Sequence, residues 1–85
     1  MKKPKLLDTV ATLAPLPGNR LELVEPEYAL IDLPSGLVGT IVEIYAGENI
    51  HYLVEFADLQ GREYAMATLK ENEFLILHHE LTKFR

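Results

Sequence analysis

The sequence contains no cysteine and no tryptophan, and its 85 residues include a single serine, Ser35. Without cysteine no disulfide can staple the fold, and thiolate chemistry, including cysteine-rich zinc and iron–sulfur ligation, is excluded. Ser35 has none of the glycine-flanked strand-to-helix context that exposes a nucleophilic serine, so serine-based covalent catalysis has no support. Long apolar runs are also missing. Lys2, Lys3 and Lys5 lead into Leu6 and Leu7 and then straight into Asp8, which is not the pattern of a secretory leader, and no stretch approaches the ~20 apolar residues of a membrane span. A reducing, cytoplasmic setting is the expectation.

What is present is a chain with 48% hydrophobic residues, four Tyr and three Phe, the composition of a globular domain. A chain of this size has one core and buries only about 60% of its unfolded surface, so its stability is narrow. Thirteen acids against eight bases give a formal charge of −5, and three of the bases fall within the first five residues. The body of the domain is therefore more acidic than the total suggests. An acidic surface repels phosphate backbones and removes the term that supplies most nucleic-acid affinity, which turns attention to protein partners.

Residues 1–5 are basic, aperiodic and read as a flexible terminus, residues 6–77 as the domain, and residues 78–85 as a tail. Leu6 to Leu13 is rich in β-branched residues and stops at Pro15, Pro17 and Gly18, which predicts a first strand. Asn19 to Ser35 is interrupted by Pro26, so it is expected as a long two-limbed excursion rather than a central strand. Gly36 to Tyr45 and Ile50 to Ala57 flank the turn residues Ala46-Gly47-Glu48-Asn49 and predict a hairpin. In that reading Val42 and Ile44 point inward with Glu43 outward, Ile41 and Tyr45 fall on the outer phase, and Tyr52, Val54 and Phe56 point inward with Glu55 outward. A turn at Asp58-Leu59-Gln60-Gly61 leads to a third meander strand, Glu63 to Leu69. Thr68 and Glu71 have capping-box spacing, which predicts one helical or 3-10 turn over Lys70 to Glu73 before a last strand, Phe74 to Leu77. Short strands at turn-marked intervals, with no helical periodicity of useful length, give a mostly β fold: a small five-stranded barrel with a long loop excursion.

The strings LDTV at Leu7 to Val10, GTIVEIY at Gly39 to Tyr45, YLVEFAD at Tyr52 to Asp58, and Gly61 followed by EYAMATL at Glu63 to Leu69 resemble a family of short bacterial and cyanobacterial proteins known only as a domain of unknown function. The resemblance runs from Leu6 to about Leu77. It implies an SH3-like barrel, similar in its glycine-then-alternating-strand core to the KOW element of transcription and ribosomal factors. It also implies an antitoxin-like or accessory-subunit role, because some relatives are encoded beside toxin-like proteins. The longer Asn19 to Ser35 excursion departs from shorter relatives.

Candidate sites are few. His78, His79 and Glu80 lack a regularly spaced third ligand, adjacent histidines point apart, and a solvated tail is the better reading. His51, alone at a strand start, reads as a surface residue. Glu43 and Glu55 lie on neighbouring strands; if directly opposite they repel, with Arg62 or Lys70 available to relieve them. The glycines match no phosphate loop opening a helix. Glu22, Glu25, Glu27 and Asp32 crowd the excursion among apolar residues, and Tyr28, Tyr45 and Tyr52 are the candidate aromatic contacts. The expectation is a non-enzymatic protein–protein interaction module without cofactor or metal, the alternative being a KOW-like nucleic-acid-binding domain.

Overall fold

A computed structural model describes residues 3–23, 33–58 and 60–77. Among the described residues six strands follow in chain order: β1 (Thr9–Thr12), β2 (Leu21–Leu23), β3 (Val38–Tyr45), β4 (His51–Ala57), β5 (Glu63–Leu69) and β6 (Phe74–Ile76). They form a single sheet ordered β2-β5-β4-β3-β1-β6, and every pairing is antiparallel. No α-helix occurs among the described residues; two 3-10 turns, Gly18–Arg20 and Glu71–Glu73, precede β2 and β6. The mostly β expectation holds, and the strand count rises from five to six. The addition is β2, three residues of the first excursion limb, whose Leu21 and Leu23 face Ala67 and Ala65 of β5.

The meander is where the sequence pattern is strongest. In β4 the burial alternates along the whole strand, with Tyr52, Val54 and Phe56 buried and His51, Leu53 and Glu55 half-buried. The inward phase of β3 differs from the alternation expected. Ile41 is fully buried opposite Val54, Glu43 faces Leu53, and Ile44 faces Tyr52, so Val42 is an extra residue inserted between the two registers. Such a bulge shifts the side-chain phase by one and increases local twist. Apolar residues on both nominal faces of Ile41 to Tyr45 are thereby explained: Ile41 points inward before the bulge and Ile44 packs on the core after it. A second register shift, between Phe56 and Ala57 against Ala65 and Glu63, sits at the other end of β4.

The core gathers Val10, Leu16, Leu33, Ile41, Tyr52, Val54, Phe56, Ala67, Leu69 and Phe74. Tyr52 and Phe74 meet edge to face, ring centroids 5.4 Å apart and planes at 84°, a favoured aromatic geometry. Leu16 and Leu33 exchange two backbone hydrogen bonds of 2.8 Å and close the base of the excursion. Thr12, the buried polar residue, is satisfied there. Its hydroxyl accepts from the Leu37 N–H at 3.0 Å and donates to the Pro34 carbonyl at 3.4 Å. Gly36 turns the chain into β3 with φ +78°, a conformation suited to glycine.

Arg20 stands immediately before edge strand β2 and Glu73 immediately before edge strand β6. The Arg20 guanidinium donates to both Glu73 carboxylate oxygens, at 3.2 and 3.1 Å, and to the Thr68 carbonyl at 3.1 Å. The ends of the two outermost strands are thus linked side chain to side chain, which an uncurled six-stranded sheet would not permit. The same Glu73 accepts from the Lys70 N–H at 2.8 Å and starts the second 3-10 turn, so the capping role belongs to Lys70 and Glu73 rather than to Thr68 and Glu71.

Arg20 holds the Glu73 carboxyl below the usual carboxylate range, first through its hydrogen bonds, with the Lys70 N–H adding to them. A carboxyl whose folded pKa is depressed contributes stability above its unfolded pKa and loses it as the pH falls through the folded value. Because Arg20 is more than a third exposed, the contribution is limited to about 1 kcal/mol or less. Arg20→Ala is therefore expected to weaken urea resistance at pH 7 by about 0.5–1 kcal/mol and to show a smaller loss than wild type between neutral and acid pH.

Candidate protein-docking face

The outward phase of the four strands β2, β5, β4 and β3 follows from the register. Glu22 faces Met66, Met66 faces Glu55, and Glu55 faces Thr40 in one row across the sheet. In the next row Thr68, Leu53 and Glu43 stand side by side. Met66 and Leu53 are half-buried, so the centre of the face is apolar, and Glu22, Glu43 and Glu63 around it are exposed. No lysine or arginine occupies any outward position of these four strands.

Glu43 and Glu55 are not directly opposite: Glu55 faces Thr40, and Glu43, after the bulge at Val42, faces Leu53. Glu55 instead interacts with Glu63 on β5. A hydrogen bond between the two carboxyls raises the Glu55 pKa, with partial burial and the Glu63 charge pushing it the same way. Two carboxylates so close resist double ionisation, and a cation brought to them would relieve that repulsion. Arg62 does not supply it. Its guanidinium turns to Asp58 at 3.1 Å within the β4–β5 turn, where Asp58 also accepts from the Gln60 and Arg62 N–H groups at 2.9 Å. These contacts, led by the Arg62 N–H, lower the Asp58 pKa.

Of the residues singled out from the sequence, Glu22 lies on this face and Tyr45 lies at its end, 46% exposed and opposite His51. Tyr52 does not belong to it. The ring is only 3% exposed, locked against Phe74, and burial followed by the nearby Glu71 charge pushes its phenol pKa up. The inward alternation of β4 already assigned Tyr52 to the core, and that alternation, not its residue type, governs its role. Glu25, Glu27, Tyr28 and Asp32 lie outside the described residues, as do His78 and His79. Met66, Leu53, Glu55 and Glu63, which complete the face, were missed as contacts; their shared outward phase on paired strands was the available signal.

A family model described as a domain of unknown function, DUF4926, matches residues 6–76. The chain belongs to that family. The match begins at Leu6 and ends at Ile76, the last residue of β6, so it contains every strand of the sheet, the first excursion limb included. No curated protein matches, and no solved structure matches. The family description names no activity. Among the described residues no group of three or more histidine, aspartate or glutamate side chains is placed to hold a metal ion, and no helix is long and apolar enough to cross a membrane.

Proposed function

We propose that this DUF4926 member is a non-enzymatic protein-interaction module built on an SH3-like barrel, and that the outer face of β2, β5, β4 and β3 docks a basic, partly apolar segment of a partner protein. The barrel reading is supported by the β6-β1-β3-β4-β5 order, the long connection before β3, the 3-10 turn before the last strand and the Arg20–Glu73 link between the two edges. One observation carries the binding assignment: Glu22, Glu43, Glu55 and Glu63 surround half-buried Met66 and Leu53, and none of the four strands contributes a lysine or arginine to that face. Interfaces combine an apolar centre with a polar rim, and complementary charge speeds and orients docking. A partner of this chemistry in the cytoplasm fits an antitoxin-like or accessory-subunit role. The same carboxylates oppose the KOW-like nucleic-acid alternative, since they face a phosphate backbone with like charge.

The test uses a fluorescent peptide of alternating lysine and leucine and, in parallel, single-stranded and duplex RNA. Fluorescence anisotropy should show the peptide binding, the affinity should fall as salt shortens the Debye length to about 3 Å, and Glu43→Lys/Glu55→Lys should weaken it at least about tenfold. Salt-sensitive RNA binding with no peptide binding would overturn the assignment.

A further inference from the structure

Ahead of β1 the chain makes a tight turn with an unusual tip. The Asp8 N–H donates to the Lys5 carbonyl at 3.1 Å, and the Asp8 carboxylate accepts from the Lys5 N–H at 2.9 Å. The Leu7 N–H donates to the Ile41 carbonyl at 2.8 Å, and the Ile41 N–H returns a bond to the Asp8 carbonyl at 3.0 Å. The turn is therefore fixed to β3. Within it Leu7 has φ +72°, alone among the described non-glycine residues. The left-handed region disfavours a side chain as large as leucine, and glycine or asparagine would occupy it with less strain. Nothing in the fold repays the leucine, because its side chain is 76% exposed, and neighbouring Leu6 is 56% exposed. Strain of this kind, held by a rigid surround and directed into solvent, marks a contact site. Lys3 and Lys5 flank the tip, and neither forms an ion pair among the described residues.

The molecule thus carries two surfaces of complementary chemistry: a basic tip with two exposed leucines, and an acidic face with an apolar centre. We infer that the Leu6-Leu7 tip of one copy docks on the β2-β5-β4-β3 face of a second copy, its leucines on Leu53 and Met66 and its lysines among the glutamates. This rests on the assignment of that face as a docking surface. The contact joins two different patches, so it is heterologous and propagates beyond a dimer, into a ring or a filament. Because the tip is already held by four hydrogen bonds, docking has little ordering entropy to overcome.

Sedimentation equilibrium of the full chain tests it. Between about 10 μM and about 1 mM, the range of a weak contact, the weight-average mass should climb past that of a dimer at low ionic strength. It should return to the monomer once salt reduces the Debye length to about 3 Å. Leu7→Asn, whose side chain tolerates the left-handed turn, should abolish the climb while leaving the melting temperature unchanged or higher. Lys3→Glu/Lys5→Glu and Glu43→Lys/Glu55→Lys should each be monomeric alone and associate when mixed in equal amounts. A wild-type chain that stays monomeric throughout, a Leu7→Asn chain that associates like wild type, or charge-reversed chains that fail to associate on mixing would overturn the inference. The peptide experiment separates the two claims, since a monomeric chain that still binds the lysine–leucine peptide rejects self-docking and retains the docking face.

Discussion

Phe56→Ala is expected to remove a large share of the domain's stability. Phe56 is among the largest fully buried side chains, near the end of β4 between Gly39 of β3 and Ala65 of β5. Both neighbours lack the bulk to collapse into the space its ring would vacate. Truncating a buried phenylalanine costs about 3–5 kcal/mol, and a domain of this length has roughly 4–13 kcal/mol in total. At about 4–8 °C per kcal/mol for so small a domain, the melting temperature should fall by at least about 12 °C. Leu75→Ala is the control. Leu75 is on the outward phase of β6 and 57% exposed, so its removal should change stability by less than about 1 kcal/mol. Thermal unfolding followed by circular dichroism measures both, and a similar fall for the two variants would contradict the inward and outward assignment.

The second large effect is expected at Gly39, and its sign is opposite to strand propensity. Replacing a strand glycine by alanine ordinarily stabilises by about 0.5–1 kcal/mol. Here a Cβ would come within 2.6 Å of the Val54 Cγ1, 2.9 Å of the Glu55 carbonyl oxygen and 2.9 Å of the Phe56 Cδ1. The Glu55 carbonyl belongs to the backbone of β4, paired on both sides, and cannot step aside as a flexible side chain would. Gly39→Ala should therefore destabilise by about 1–3 kcal/mol. The neighbouring Gly47 is a useful contrast, since a Cβ there meets nothing within 4 Å, and Gly47→Ala should be nearly neutral. Urea denaturation of the two variants compares them directly, and equal midpoints would refute the close approach of β3 to β4.

These two sites also show how far the sequence could be read. The alternation of Tyr52, Val54 and Phe56 defined β4 and its buried face, and Glu63 to Leu69 was legible as β5 to the residue, because both strands keep a period of two with a turn at each end. The phase of β3 was not legible in the same way. Apolar residues at 41, 42, 44 and 45 fit no single alternation, and the reason is the residue inserted at Val42. That break in period was itself the trace of the bulge. Strand β2 is three residues long and stands at an edge, so its existence depends on the partner β5 and not on any local signal. The clasp between Arg20 and Glu73 joins residues 53 positions apart, a separation at which sequence pattern carries no information.

For the docking face, the carboxylates were visible as single residues but their grouping was not. Glu22, Glu43, Glu55 and Glu63 come from four strands and share a face only through the register. The aromatic candidates divided by phase, Tyr45 outward and Tyr52 inward, which residue type alone does not distinguish. Leu7 gave no warning, since an unfavourable φ leaves no mark in the sequence when the residue is not glycine.

The central claim is that the outer side of β2, β5, β4 and β3 receives a basic partner. Amide chemical-shift mapping with the unlabelled lysine–leucine peptide tests it most directly. The account predicts shifts concentrated at Glu22, Glu43, Leu53, Glu55, Glu63 and Met66, with Leu75 and Ala11 on the outer side of β6 and β1 unmoved. Shifts centred on Leu75 and Ala11, or none at the glutamates at saturating peptide, would contradict it.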